Sequence, residues 1–414
     1  MRKIATFLFA APLFLAGACT KVPAGAVRIP AASGDPVELA VGGQTKGKAP
    51  ITTLAELATQ DFSVSAWYSP EGEIFDGEHT VKYFENHRFG YVTSDLAGET
   101  TFPNAWQGVA PHASAGIVNA SPVYWPLDGT LSFFCYAPYR EGDADIVLED
   151  PVTDAAIAAR LPGYLPGSPL IRVTPAAAAA DQADFLCAPP LLDRSRYDAG
   201  GMFPLDFSQH RMTQVEFGFN YTGTLVDDDG LNIHEKVRVT SIELQDVIGS
   251  KYFYFTATSP DAAWSALVSP ADPSGSDFPR ATYRISAAGG ELKTGLDANL
   301  PDLAGGTYLT VRKEDNLDGL FYLLPQEIPS GARLVVSYNI VDDYAGVRGS
   351  EVITVPLRSD PPTDDPTLAV WPEGKKVRYL LTLDIPNRGF VTMTAKYYDW
   401  ENSNNLHPGQ ELMY

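Results

Sequence analysis

Gln214-Val215-Glu216-Phe217-Gly218-Phe219-Asn220-Tyr221 is the stretch that decides the fold class. Val215, Phe217, Phe219 and Tyr221 occupy one set of alternate positions, and Gln214, Glu216, Gly218 and Asn220 the other. Successive side chains of a strand leave opposite faces of the pleat, so a period of two marks a strand. One apolar and one largely polar face suit an antiparallel sheet covered by a partner on one side. The alternation recurs outward in both directions. Phe62, Val64, Ala66 and Tyr68 share a face, as do Leu334, Val336, Tyr338 and Ile340. Val377, Tyr379, Leu381, Leu383 and Ile385 follow, then Val391, Met393, Ala395 and Tyr397. Turn clusters separate the runs: Asp227-Asp228-Asp229-Gly230, Pro273-Ser274-Gly275 and Pro361-Pro362-Thr363-Asp364. The chain is expected to be all-β and built of antiparallel β-sandwiches.

Helical signal is thin. Asp154 to Leu161 suits a short helix, and Pro175 to Gln182 carries an alanine run behind a proline. Thr53 to Leu57 suits a single turn. With 414 residues the chain is long enough for two ordinary domains. Pro189 to Met202 is loop-like, and Phe203 opens a fresh series of strands, so a boundary is expected near residue 203.

The N-terminus sets the compartment. Met1-Arg2-Lys3 is basic, Ile4 to Leu15 is apolar but too short to span a bilayer, and Ala16-Gly17-Ala18 lead to Cys19. Residues 1–18 are read as a secretory signal peptide. A cysteine directly after small residues resembles a lipobox, although Ala16 stands where leucine is usual. Cys19 is the expected lipid anchor. Behind it, residues 19–49 form a tether with one strand-like piece, Val37-Glu38-Leu39-Ala40-Val41. Gly42-Gly43-Gln44-Thr45-Lys46-Gly47-Lys48 then breaks the pattern with protease-accessible residues.

The net charge of −21 disfavours nucleic acid and anionic lipid head groups as partners and favours solubility. Cys135 and Cys187 are the thiols left once Cys19 is acylated. In an oxidising compartment they either pair as a disulfide or stay as two buried apolar side chains.

Chemistry is hard to find. The histidines at 79, 87, 112, 210, 234 and 407 make no pair at metal spacing, and no Cys-x-x-Cys occurs. Asp227 to Gly230 resembles the start of a calcium loop, but Arg238 stands where the closing acid belongs. No nucleophile elbow, phosphate loop or His-Glu-x-x-His is present. Paired carboxylates of a glycosidase are not placed by sequence. No catalytic residue, metal or cofactor is expected, and the chain is read as a non-enzyme.

Several strings together resemble the fimbrillin family, lipoprotein pilin subunits of Bacteroidota-type bacteria. Val123-Tyr124-Trp125-Pro126-Leu127-Asp128-Gly129-Thr130-Leu131-Ser132-Phe133-Phe134-Cys135-Tyr136-Ala137-Pro138 is similar to the family's "YWP…L.FFAYAP" segment, with Cys135 in place of alanine. Ala183 to Ala188 looks like the strand that follows, and Pro204 to Phe217 is similar to "VPLxFxHALSxVxF". Phe321 to Gln326 resembles the "LLPQ" strand end, Trp371 to Tyr379 resembles "WxxGKxYxY", and Ala395 to Trp400 fits the closing strand. The set covers most of residues 50–400.

The resemblance implies two tandem transthyretin-like sandwiches, at 50–203 and 204–414. It also implies lipid-assisted export to the outer membrane and polymerisation into an adhesive surface fibre. The implied partners are other fimbrial subunits and a trypsin-like maturation protease. Family stalk subunits usually carry arginine at the maturation site, where this chain has Lys46 and Lys48. Strand Val37–Val41 would then be removable, and Leu406 to Tyr414 would be the donor strand that replaces it in a neighbour. The alternative is a monomeric surface lipoprotein that binds glycans or a host ligand.

Overall fold

The computed structural model describes residues 27–42, 61–92, 105–109, 121–141, 145–198, 202–207, 209–222, 235–257, 261–266, 277–286, 309–310, 320–342, 346–358, 369–384 and 389–399. The regular structure of the described residues is nearly all strand. A two-stranded ribbon pairs β1 (Ala32–Pro36) with β6 (Tyr124–Pro126). The largest sheet runs in the order β10 (Leu186–Cys187), β7 (Thr130–Ala137), β3 (Asp61–Ser69), β4 (Val81–Val92), β5 (Ala105–Gly108), β2 (Glu38–Gly42) and β12 (Met202–Asp206). β11 (Leu191–Arg194) also pairs with β7.

A junction sheet orders β16 (Asp261–Trp264), β15 (Lys251–Thr256), β9 (Leu170–Val173) and β8 (Ile146–Glu149). Two further sheets face each other across the second core. One orders β17 (Arg280–Ser286), β14 (Glu235–Ile248), β21 (Arg333–Asp342) and β22 (Gly346–Pro356). The other orders β18 (Leu309–Thr310), β13 (Thr213–Thr222), β24 (Lys375–Asp384) and β25 (Gly389–Asp399), with β19 (Phe321–Leu323) beside β13. β20 (Gln326–Glu327) pairs with β23 (Val370–Trp371).

The alternation of β13 does what its sequence implies. Val215, Phe217 and Phe219 enter one core with Val239, Ile242, Leu244, Leu334, Val336 and Tyr379. The first core gathers Phe62, Val64, Ala66, Phe89, Leu131 and Phe133 with Trp125. Asp154 caps helix α1 (Ala155–Ala158), its carboxylate accepting from the Ala156 amide at 2.7 Å. The alanine run after Pro175 makes only a 3₁₀ turn at Ala179–Asp181. The turn expected at Thr53 to Leu57 and the Asp227 to Gly230 cluster lie outside the described residues.

Three expectations need correction. The sheets are mixed, not wholly antiparallel: β12 runs parallel to β2, and β24 runs parallel to β13. Next, β3 is covered on both faces. Its second face packs Trp67 into another core with Phe134, Tyr136, Ile171, Phe253 and Phe255, which lies against the junction sheet. Ser63 and Ser65 are therefore buried, and Asn86 satisfies them. Its Oδ1 accepts from Ser63 Oγ at 2.6 Å and Tyr136 OH at 2.7 Å, while its backbone N–H donates to Ser65 Oγ at 2.8 Å.

Last, the boundary near residue 203 falls inside β12. Phe203, Leu205 and Phe207 belong to the first core, and the strand closes the first sheet. The junction sheet then joins strands from both sides of that point, with Lys251 opposite Val173 and Phe253 opposite Ile171. Composition marked Pro189 to Met202 as a loop, but a loop marks a domain edge only where few contacts cross it.

Candidate functional site: the seat of the N-terminal strand

β2 lies between two strands. On one side Leu39 is opposite Trp106 of β5, antiparallel. On the other, Glu38 to Gly42 run parallel to Met202 to Asp206 of β12. The chain enters this slot from the β1–β6 ribbon, where the Val37 amide donates to the Val123 carbonyl at 2.8 Å. Val37 and Leu39 are both 0% exposed. They enter a core walled by aromatic rings. Phe62 lies 5.4 Å from Trp106 and 5.2 Å from Phe207, and Trp125 lies 5.8 Å from Phe203. Burying two such aliphatic side chains stabilises by roughly 1.5–3 kcal/mol each. The slot is thus an apolar groove with ladder edges on both sides, filled by a five-residue strand.

The ribbon that leads into it is lightly held. Asp35 is exposed and pairs with Arg196 at 3.1 Å, a contact of a kind that contributes little. Burial pushes the Glu38 carboxyl above its ordinary value. A group whose folded value is raised adds stability below its unfolded value, about 4.3 for glutamate, and loses it as pH rises through the folded value. Glu38→Gln should therefore raise the thermal midpoint relative to the parent near pH 7, and the gain should vanish by about pH 4. A gain that is constant across that range would refute the assignment.

Cys19, Lys46, Lys48 and the segment 406–414 lie outside the described residues. Cys135 and Cys187 lie inside, both buried, and no disulfide joins them. β10 pairs Cys187 with Tyr136, so Cys187 shares the face of Tyr136 while Cys135 faces the other core. A disulfide needs facing Cβ vectors, and these diverge across the sheet. Cys187 Sγ instead donates to the Cys135 carbonyl at 3.5 Å, and burial pushes the Cys135 thiol up. Thiol titration of the denatured, non-reduced protein, with Cys19 replaced by alanine, is expected to find both thiols reactive. A count of none would overturn this geometry.

A second polar cluster, unforeseen from sequence, sits on the outer face of β13. Glu216 accepts from Arg378 Nη2 at 2.7 Å and Nε at 3.1 Å and from Gln214 Nε2, with Lys376 Nζ at 4.0 Å. Burial lowers the Lys376 ammonium below its ordinary value. The alternation exposed these residues as a polar face but gave no sign that the face is buried. Among the described residues no group of three His, Cys, Asp or Glu side chains is placed to hold a metal. Among the same residues no helix is long and apolar enough to cross a membrane.

No family model and no curated protein matches the chain. Solved structures do. A fimbrial protein from Bacteroides vulgatus ATCC 8482 aligns with 88% of this chain and 99% of its own, at 16% identity and a TM-score of 0.52. This chain shares the fold of that fimbrial protein. A candidate cell adhesion protein from Bacteroides uniformis ATCC 8492 covers 88% of this chain and 98% of its own, at 14% identity and a TM-score of 0.41. Another from Bacteroides ovatus ATCC 8483 covers the same shares at 13% identity and a TM-score of 0.38.

Proposed function

We propose that this chain is a structural subunit, stalk or tip, of an adhesive cell-surface fimbria and has no catalytic role. It is exported as a lipoprotein acylated at Cys19 and held at the outer membrane. A trypsin-like protease then cuts after Lys46 or Lys48. The fragment carrying β1 and β2 leaves, and a strand from another subunit, residues 406–414, enters the slot between β5 and β12.

One observation carries this reading. β2 and the residue before it fill a core groove with Leu39 and Val37, yet the chain reaches the lysine-bearing segment only a few residues later. A strand so placed can be removed by one cut that spares the rest of the sheet. The vacancy exposes apolar pockets and two unsatisfied ladder edges, which invite another chain. The shared fold with a fimbrial protein supports the same reading.

Brief trypsin treatment of the purified protein followed by size-exclusion chromatography tests it. Trimming at Lys46 or Lys48 should convert monomer into a ladder of oligomers. A Lys46→Gln/Lys48→Gln chain, and a chain lacking residues 406–414, should both stay monomeric. A trimmed chain that remains monomeric at high concentration would defeat the proposal.

A further inference from the structure

β12 closes the largest sheet, and among the described residues β2 is the strand it pairs with. Pro204 suits that edge place, since a proline brings no amide to a ladder. The backbone tie between β12 and the sheet therefore runs through β2. Side chains add to it: Phe203 packs on Trp125 and Phe207 on Phe62.

Beyond β12, residues 209–212 form a strap across the junction. His210 bridges to Leu186 and pairs through Nδ1 with Asp184. The Arg211 amide donates to the Phe185 carbonyl at 3.0 Å, and its guanidinium meets Glu373 at 2.9 Å. Trp264 Nε1 donates to the Arg211 carbonyl at 2.8 Å, and the Gly374 amide to the Met212 carbonyl at 3.0 Å. The strap thus touches the chain next to β10, the junction sheet through β16, and the turn before β24. From Thr213 it continues as β13, the centre of the second core.

We propose that the strand in the β2 slot, β12 and this strap act as one cooperative unit, so that slot occupancy sets the junction between the two cores. It rests on the reading of the slot as a strand-exchange site and adds a regulation to it. A subunit whose slot is empty has a loosened β12 and a compliant junction. An incoming strand restores the ladder and stiffens the subunit as it joins the fibre. The direction of coupling follows from the topology, since β12 has no second ladder among the described residues to hold it when β2 is absent.

Native-state hydrogen exchange on the uncut chain tests this without any cutting or assembly. The slowest amides of 38–42 and of 202–206 should open together. Leu39→Ala should lower protection in both windows by the same factor, roughly 30-fold or more for a buried Leu→Ala change. The amides of β3 and β4 should keep theirs, and Trp264 emission should shift as the strap loosens. Val37→Ala, a smaller deletion, should show the same parallel loss and serves if Leu39→Ala does not fold. Lost protection in 38–42 with 202–206 unchanged would overturn the coupling. If the trimmed protein fails to polymerise while both windows still move together, the exchange reading falls and the coupling stands.

Discussion

Leu39→Asp should eject β2 from its slot and let the uncut chain polymerise. The side chain it replaces is fully buried in the core that holds Phe62, Trp106 and Phe207, whose members are all apolar. Keeping an unpaired charge there costs several kcal/mol, against the few that Val37 and Leu39 contribute by burial. The strand therefore leaves, and the empty groove is the same one that proteolysis would open. The expected result is a loss of about 3–5 kcal/mol in the stability of the slot and oligomers without trimming. Denaturation and light scattering on the uncut variant check both. A monomer with an unchanged midpoint would show that β2 is not the plug.

The second large effect is placed in the other core. Glu216→Ala should destabilise the protein by about 3–5 kcal/mol, because it leaves Arg378 and Lys376 side by side with their shared carboxylate gone. Glu216 and Lys376 are about nine-tenths buried, so water does not take over the lost contacts. Glu216→Gln should cost less, since it keeps an acceptor for Arg378. Replacing Glu216, Lys376 and Arg378 together by apolar residues should recover most of the loss. Chemical denaturation of the variants measures it, and a single-site loss below about 1 kcal/mol would show that solvent reaches the cluster.

The two variants probe parts of the molecule that differ in how openly the sequence declared them. Val37-Glu38-Leu39 read as a strand because its apolar positions alternate, and its neighbour Gly42 to Lys48 read as cleavable. The strand's partners were not legible. Leu39 lies opposite Trp106 on one side and Phe203 on the other, residues far along the chain, and a period of two fixes faces without naming what covers them. For the same reason Ser63 and Ser65, which alternate with Phe62, Val64 and Ala66, fall on the face a period of two gives to solvent, and they are buried. Trp67 on that face was the available sign, since a large ring among serines asks for a covering layer.

β12 carries a clearer sign in its sequence. Phe203, Leu205 and Phe207 alternate, and Pro204 inside the run marks an edge strand. An edge strand that follows a loop can close the preceding sheet as readily as open the next one. Cys135 and Cys187 show the limit in the other direction. Compartment and count left their pairing open, and only the register against Tyr136 places the two thiols on opposite faces.

Assembly through an emptied slot leaves one trace that no other route produces. Fibres sheared from intact cells should yield a subunit whose N-terminal peptide, read by mass spectrometry, begins at Gly47 or Ala49, with Val37 to Gly42 absent from the polymer. A polymerised subunit that still begins at acylated Cys19 and retains Val37 to Gly42 would contradict the account.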